Sequence, residues 1–215
     1  WDGNVDPPPV GSVVKVRGMT QEYNGRLQLR VEKMRPLTDT DKVDMNLLTP
    51  SAPEAPEAML SEITETVQAL KSPPLRTIVQ AMIERYADKL LYFPAAQRIH
   101  HAERSGLLHH TLGMLRLAKA VLPLYPQLNG DLLLSGVIIH DLCKIEELDS
   151  DSLGVVKDYT TEGLLLGHIS IGVARVGEIA KELNVTGEPV LLLQHMLLSH
   201  HGEDLYGSPR KPMFP

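Results

Sequence analysis

The stretch from Leu132 to Leu148, LLLSGVIIHDLCKIEEL, decides how this chain is read. Its first half, Leu132 to Ile139, carries no charge, and it runs straight into His140 and Asp141. A carboxylate at the end of so apolar a run costs several kcal/mol to bury unless it is paired or metal-bound. The sequence predicts one helix over 131–148 that presents an imidazole and a carboxylate side by side.

Working outward, the helical period continues on both sides. Leu60, Ile63, Val67 and Leu70 recur at that period, and so do Leu75, Ile78, Val79, Met82, Ile83 and Tyr86, which predicts two amphipathic helices. Further helices are predicted over 106–122, 168–183 and 189–201, with Asn129-Gly130 and Gly202 as breaks. This part of the chain is expected to be all helical. On or near those helices stand His110 in GLLHHT, His168 in GHIS, and His200-His201 in SHHG. Alone, His110 beside Met114, Leu117 and Val121 would read as a core imidazole. Together with His140 and Asp141 the set supplies imidazole nitrogens and a carboxylate from several helices, which is how helical bundles hold metals. Zinc-finger spacing is absent and Cys143 is the single thiol, so a catalytic metal is expected rather than a structural zinc. His195, five residues before His200, is off that face and is read as a core or supporting residue.

All nine histidines fall between positions 100 and 201, which sets the N-terminal part of the chain apart. There Leu27, Leu29 and Val31 alternate with Arg26, Gln28, Arg30 and Glu32, the period of a half-buried strand. Residues 11–17 supply a partner strand, and Asn24-Gly25 reads as the hairpin turn. A lone hairpin is marginal in water, so the abrupt opening Trp1-Asp2-Gly3 suggests the remainder of a larger β unit. Residues 39–56, rich in Pro, Thr and Asp without a period, read as a linker. The domain reading is thus 1–38, a β segment; 39–56, a linker; and 57–215, a helical domain.

With 215 residues, 43% hydrophobic and 22% charged, the chain has ordinary globular composition, which argues against disorder or a fibrous class. Its longest uncharged stretch, 14 residues from Pro189 to Gly202, is below the ~18 needed to span a bilayer, so no membrane contact is expected. A lone cysteine and the lack of a leader point to the cytosol. The net charge of −6 gives no global case for nucleic acid. Locally the balance reverses: Lys15, Arg17, Arg26, Arg30, Lys33 and Arg35 face only Glu22 and Glu32. A basic hairpin with Tyr23 at its turn suits single-stranded nucleic acid, although a solvated face would look the same.

The order H, HD, H, HH is that of the HD-domain metal-dependent phosphohydrolases. The wider strings IHHAERSGLLHHTLGMLRLAKA (99–120), TTEGLLLGHISIGVARVGEIAKEL (160–183) and LLLQHMLLSHHGEDLYGSPRKPM (191–213) resemble the YhaM-type 3'-to-5' exoribonucleases, which join an OB fold to an HD domain. The opening WDGNVDPPPVGSVVKVRGMTQEYNGRLQL (1–29) resembles the second half of that OB fold. The resemblance implies a mainly α protein, an HD-domain bundle preceded by the C-terminal part of an OB fold. It implies that His110, His140 and Asp141 hold one metal, with Asp141 bridging to a second held by His168, His200 and His201. The family completes its first site with an aspartate from a later helix, beyond Pro215. Two departures stand out: the glutamate of GLLEH is His109 here, an extra donor or, preferably, a surface residue, and the glycine of HDxGK is Cys143.

What the resemblance implies chemically is hydrolysis of phosphodiesters in single-stranded RNA, or single-stranded DNA, to nucleoside monophosphates, assisted by two divalent ions, with Mn2+ the family's metal. Lys144, four residues after His140, is a candidate for contacting the scissile phosphate. Arg98, His100, His101, Arg210 and Lys211 are candidates for holding the nucleic-acid backbone, with Lys15, Arg17, Tyr23, Arg26 and Arg30 on the hairpin. The competing readings are a phosphodiesterase or nucleotidase for a small or cyclic nucleotide, and a nucleic-acid-binding regulator with a vestigial metal site. The sequence does not address oligomeric state.

Overall fold

The computed structural model describes residues 8–9, 11–98 and 101–214. Contacts divide the chain into two units, 1–45 and 46–215.

The first unit is built on an antiparallel hairpin, β1 (Val14–Tyr23) and β2 (Arg26–Pro36), closed at Asn24-Gly25. The register slips between Arg17 and Gly18, a bulge that bends the ribbon. The expected half-buried face is not realised: Leu27 and Leu29 are 77% and 52% exposed. Asp41 anchors the base of the hairpin, accepting from Lys15 at 2.9 Å and from Arg35 at 2.6 Å. That pairing holds its carboxyl far below the usual range, Arg35 first and Lys15 second.

The second unit is mainly helical: α1 (Pro56–Ala69), α2 (Pro73–Leu90), α3 (Gly106–Val121), α4 (Gly130–Ile139), a short α5 (Lys144–Glu147), α6 (Thr161–Glu182) and α7 (Glu188–Ser199). Most of the periodic residues predicted for α1 and α2 are buried, with Ile63 and Val67 in one core with Ile78, Val79 and Met82, whereas Met59 is fully buried and the predicted Leu60 only partly so. Leu107, Leu112 and Leu115 of α3, Ile139 of α4, Ile171 and Val176 of α6, and Leu193 and Leu197 of α7 complete it. A polar tie crosses this core. The Tyr86 hydroxyl of α2 donates to Glu146 of α5, which also accepts from Arg175 of α6 at 2.7 Å. Cys143 is buried beside Tyr86, and burial pushes its thiol up to about 12, so it stays protonated and inert at neutral pH.

Several expectations need correction. The helix predicted over 131–148 stops at Ile139, turns through 140–143 and resumes as α5. The region is not all helical, because β3 (Leu148–Ser150) pairs antiparallel with β4 (Val156–Tyr159). Strand pairs this short carry no readable alternation. The second half of the presumed linker is tied to the helical unit: Ala52 N–H donates to the Arg104 carbonyl and Arg104 N–H to that of Pro50, both at 2.9 Å. Those backbone bonds hold a segment whose composition alone suggests a free tether. The apolar line of Met114 and Leu117 faces outward, at 39% and 57% exposure, while α3 buries Leu107, Leu108, Thr111, Leu112 and Leu115. Lastly, α6 is long and apolar enough by length and composition to cross a membrane, where the sequence reading found no such segment. Its buried residues Ile171, Val176 and Ile179 pack into the core just described.

A candidate metal centre around Asp141

Four helices deliver side chains to one point. His110 comes from the first turns of α3, His140 and Asp141 from the turn that ends α4, His168 from α6, and His200 and His201 from the turn that ends α7. Local sequence explains each position. Asn129 caps α4 by accepting from Leu132 N–H at 3.1 Å, which fixes where that helix starts and therefore where His140 and Asp141 fall. Thr160 caps α6 in the same way through Gly163 N–H. Within α6, Gly167 has φ 69° and ψ 157°, a backbone conformation open in practice to glycine alone, and the helix breaks there.

Asp141 lies at the middle, its side chain 5% exposed. Its Oδ2 is 3.3 Å from His140 Nε2 and 3.5 Å from His110 Nε2, while Oδ1 is 3.4 Å from His168 Nε2 and 3.7 Å from His200 Nε2. The Lys144 ammonium donates to Oδ2 at 2.7 Å. The His201 ring packs on those of His168 and His200, with centroids 5.5 and 4.2 Å away. Two donor groups thus share one carboxylate: His110, His140 and Asp141 on one side, and His168, His200, His201 and Asp141 on the other.

The outer contacts turn the rings inward. His140 Nδ1 donates to the Val137 carbonyl at 2.8 Å and His200 Nδ1 to that of Leu197 at 2.7 Å. Glu147 grips His168 twice, accepting from its backbone N–H at 3.1 Å and from Nδ1 at 3.0 Å. A proton held on Nδ1 leaves the Nε2 lone pair facing the centre, the arrangement of metal-ligating histidines. Burial, with the neighbouring His140, lowers the His110 imidazole to about 4, and burial also lowers His201, so both are neutral at pH 7. Burial would raise Asp141, but the charged Lys144 is among the neighbours that outweigh it, and the carboxyl is kept well below its usual range. Glu147 is likewise held low, its burial outweighed by His168.

The fit to a metal has a direct sign. Asp141 Oδ1, His168 Nε2 and His200 Nε2 are buried acceptors with no hydrogen-bond partner. Each such orphan costs about 1–3 kcal/mol unless something engages its lone pair. A divalent cation satisfies all three at once, and mixed imidazole and carboxylate donors suit Mn, Fe, Co, Ni or Zn.

Other sequence candidates fall elsewhere. Lys144 does reach the centre, through Asp141. Arg98, Arg210 and Lys211 are exposed, and Lys211 lies 3.7 Å from Glu203. His100 is outside the described residues. In the first unit Tyr23, Arg26 and Arg30 are exposed, whereas Lys15 pairs with Asp41 and Arg17 lies 3.8 Å from Glu32. His195 accepts from Met213 N–H at 3.2 Å and packs on Phe214, a supporting contact for the C-terminal segment. His109 is only partly exposed and joins His101 and Glu103 in a cluster of its own. Sequence reasoning missed Glu147, which in KIEEL looks like one more solvated acid. Glu147→Gln is expected to weaken metal affinity by about 10–100-fold, as loss of a ligand-orienting carboxylate does. Competition for Mn2+ against a chelator measures this, and an unchanged affinity would argue that Glu147 does not orient His168.

Residues 107–212 match the HD domain. The chain is 43% identical over 216 residues to a protein of Geobacillus sp. (strain WCH70) named 3'-5' exoribonuclease YhaM, covering 99% of this chain and 66% of that protein. Proteins of the same name from Listeria monocytogenes serotype 4b (strain F2365) and Bacillus subtilis (strain 168) are 45% and 41% identical, over 95% and 94% of this chain and 64% and 63% of theirs. The chain therefore spans just under two thirds of the length of these curated relatives. No solved structure matches it.

Proposed function

We propose that this chain, which belongs to the HD-domain family, is the catalytic part of a cytoplasmic metal-dependent 3'-to-5' exoribonuclease that degrades single-stranded RNA to nucleoside monophosphates. The single observation that carries the reading is the buried Asp141, whose two oxygens face two separate groups of inward-pointing imidazoles. In this reading His110, His140 and Asp141 would hold one ion, and Asp141, His168, His200 and His201 a second, with Mn2+ as the metal. Bound there, the ions would supply Lewis acidity to the phosphoryl and leaving oxygens and lower the pKa of a water.

The protein's own residues do the rest. Glu147 and the carbonyls of Val137 and Leu197 keep the ligand rings oriented. Lys144 neutralises Asp141 and, being partly exposed, can turn its ammonium to the scissile phosphate. In the same reading residues 1–38 would be part of an OB fold, residues 39–56 the connection, with its second half tied to the helical unit, and 57–215 the HD domain. Lys15, Arg17, Tyr23, Arg26 and Arg30 of the hairpin, with Arg98, His100, His101, Arg210 and Lys211, would follow the backbone of single-stranded RNA or DNA.

Hydrolysis of a 5'-labelled single-stranded RNA with Mn2+ tests this, resolved at single-nucleotide steps. The expected result is a metal-dependent ladder that shortens from the 3' end. RNA bound but uncut, or cleavage confined to small or cyclic nucleotides, would overturn it.

A further inference from the structure

Beside the Asp141 centre lies a second group of donors, of which Glu103 and His109 have no part in the reaction above. His109 Nδ1 is 2.9 Å from Glu103 Oε1 and 3.1 Å from His101 Nδ1, and His101 Nδ1 is 3.6 Å from the same Oε1. We propose that His101, Glu103 and His109 form a separate site for a divalent cation of the zinc class, with its fourth position open.

The shape of the donor triangle supports this. A four-coordinate ion bound at the usual zinc–nitrogen and zinc–oxygen lengths needs its donors about 3.3 Å apart. The three observed separations bracket that figure. Two imidazoles and one glutamate also form a donor set that zinc accepts while keeping a position for water.

The backbone holds the donors in register. The His101 carbonyl accepts from Ala95 N–H at 3.0 Å and packs so tightly on Gly106 that a Cβ there would collide with it. The Glu103 carbonyl accepts from Gly106 N–H at 3.0 Å, and His109 N–H donates to the Ser105 carbonyl at 3.1 Å in the first turn of α3. His101 itself takes a left-handed φ of 59°, an uncommon conformation for a residue other than glycine. The side chains of His101, Glu103 and His109 are 27%, 25% and 28% exposed, so the cluster is open to a cation from solvent. The His101 ring lies 5.5 Å from that of His110, centroid to centroid, which puts the site on the rim of the Asp141 centre without a shared ligand.

The test counts bound zinc per chain by elemental analysis after dialysis of the whole protein against buffered Zn2+. It compares the wild type, Glu103→Gln/His109→Gln, Asp141→Ala and the three changes combined. The expected result is that the Glu103/His109 variant holds one ion fewer than the wild type, and that Asp141→Ala keeps the ion the other variant lost. Cobalt substituted into Asp141→Ala should show the intense visible absorption of a four-coordinate site, absent when Glu103→Gln/His109→Gln is added. Equal zinc counts in the wild type and the Glu103/His109 variant would overturn the proposal and leave a hydrogen-bonded cluster only. If circular dichroism finds that variant unfolded, His101→Gln in the loop replaces it under the same criterion. The ion retained in Asp141→Ala separates this proposal from the exoribonuclease reading, since loss of RNA hydrolysis in that variant says nothing about it.

Discussion

Asp141→Ala is expected to lower RNA hydrolysis by at least about 10³-fold, because ions held at such a centre contribute several kcal/mol of charge stabilisation and each ~1.4 kcal/mol is a factor of ten. The size follows from geometry. His110 and His140 lie on the Oδ2 side and His168 and His200 on the Oδ1 side, so one side chain serves both groups. Removing a ligand that served one side alone would leave the other intact. Removing this one opens both, and it also frees the Lys144 ammonium that lies 2.7 Å from Oδ2. Single-turnover rates on a short RNA, with bound Mn2+ measured in the same samples, check the prediction. A variant that kept its rate within tenfold would show that Asp141 is not the shared ligand.

The second large effect is on stability. An ion that binds only the folded protein, supplied at 100 times its Kd, adds about 2.7 kcal/mol to unfolding. A chain of this size moves by about 2–4 °C per kcal/mol, so Mn2+ should raise the melting transition of the helical unit by roughly 5–11 °C. Chelation should reverse the rise. The physical source is the set of buried acceptors at Asp141 Oδ1, His168 Nε2 and His200 Nε2, which lack partners until a cation arrives. Differential scanning calorimetry with Mn2+ and then with chelator measures it, using Asp141→Ala, which lacks the shared ligand, as the control that should respond far less. A wild-type transition indifferent to metal would mean that the orphaned atoms are not a cation site.

How far the sequence was legible depends on which physical signal each residue carries. The helical period in α1 and α2 and the turn at Asn24-Gly25 are local signals, and the structure has those elements where they were read. The ordered histidines were legible because a polar pair such as His140-Asp141 conflicts with the apolar run before it. Glu147 was not, since its role depends on His168, 21 residues away in sequence, reaching it across a fold that no local pattern announces. The sheet of β3 and β4 was missed for a related reason: strands of three and four residues hold too few positions for alternation to appear. The line through His110, Met114 and Leu117 is no guide to the core by itself, because apolar spacing identifies a helix without saying which of two apolar stripes is buried. On α3 the other stripe is the buried one.

The break at Gly167 has a rotational meaning. In an unbroken helix His168 would lie one turn beyond Leu164 and Leu165, which are 70% and 77% exposed, and would point into solvent with them. Instead His168 is only 8% exposed, because the φ of 69° resets the angular phase of the helix and starts a new one facing inward. A Cβ at 167 would meet nothing closer than 3.7 Å, so space is not what excludes other residues. Torsion is. The ring that faces Asp141 from α6 therefore owes its direction to the one neighbour in the chain that has no side chain to offer.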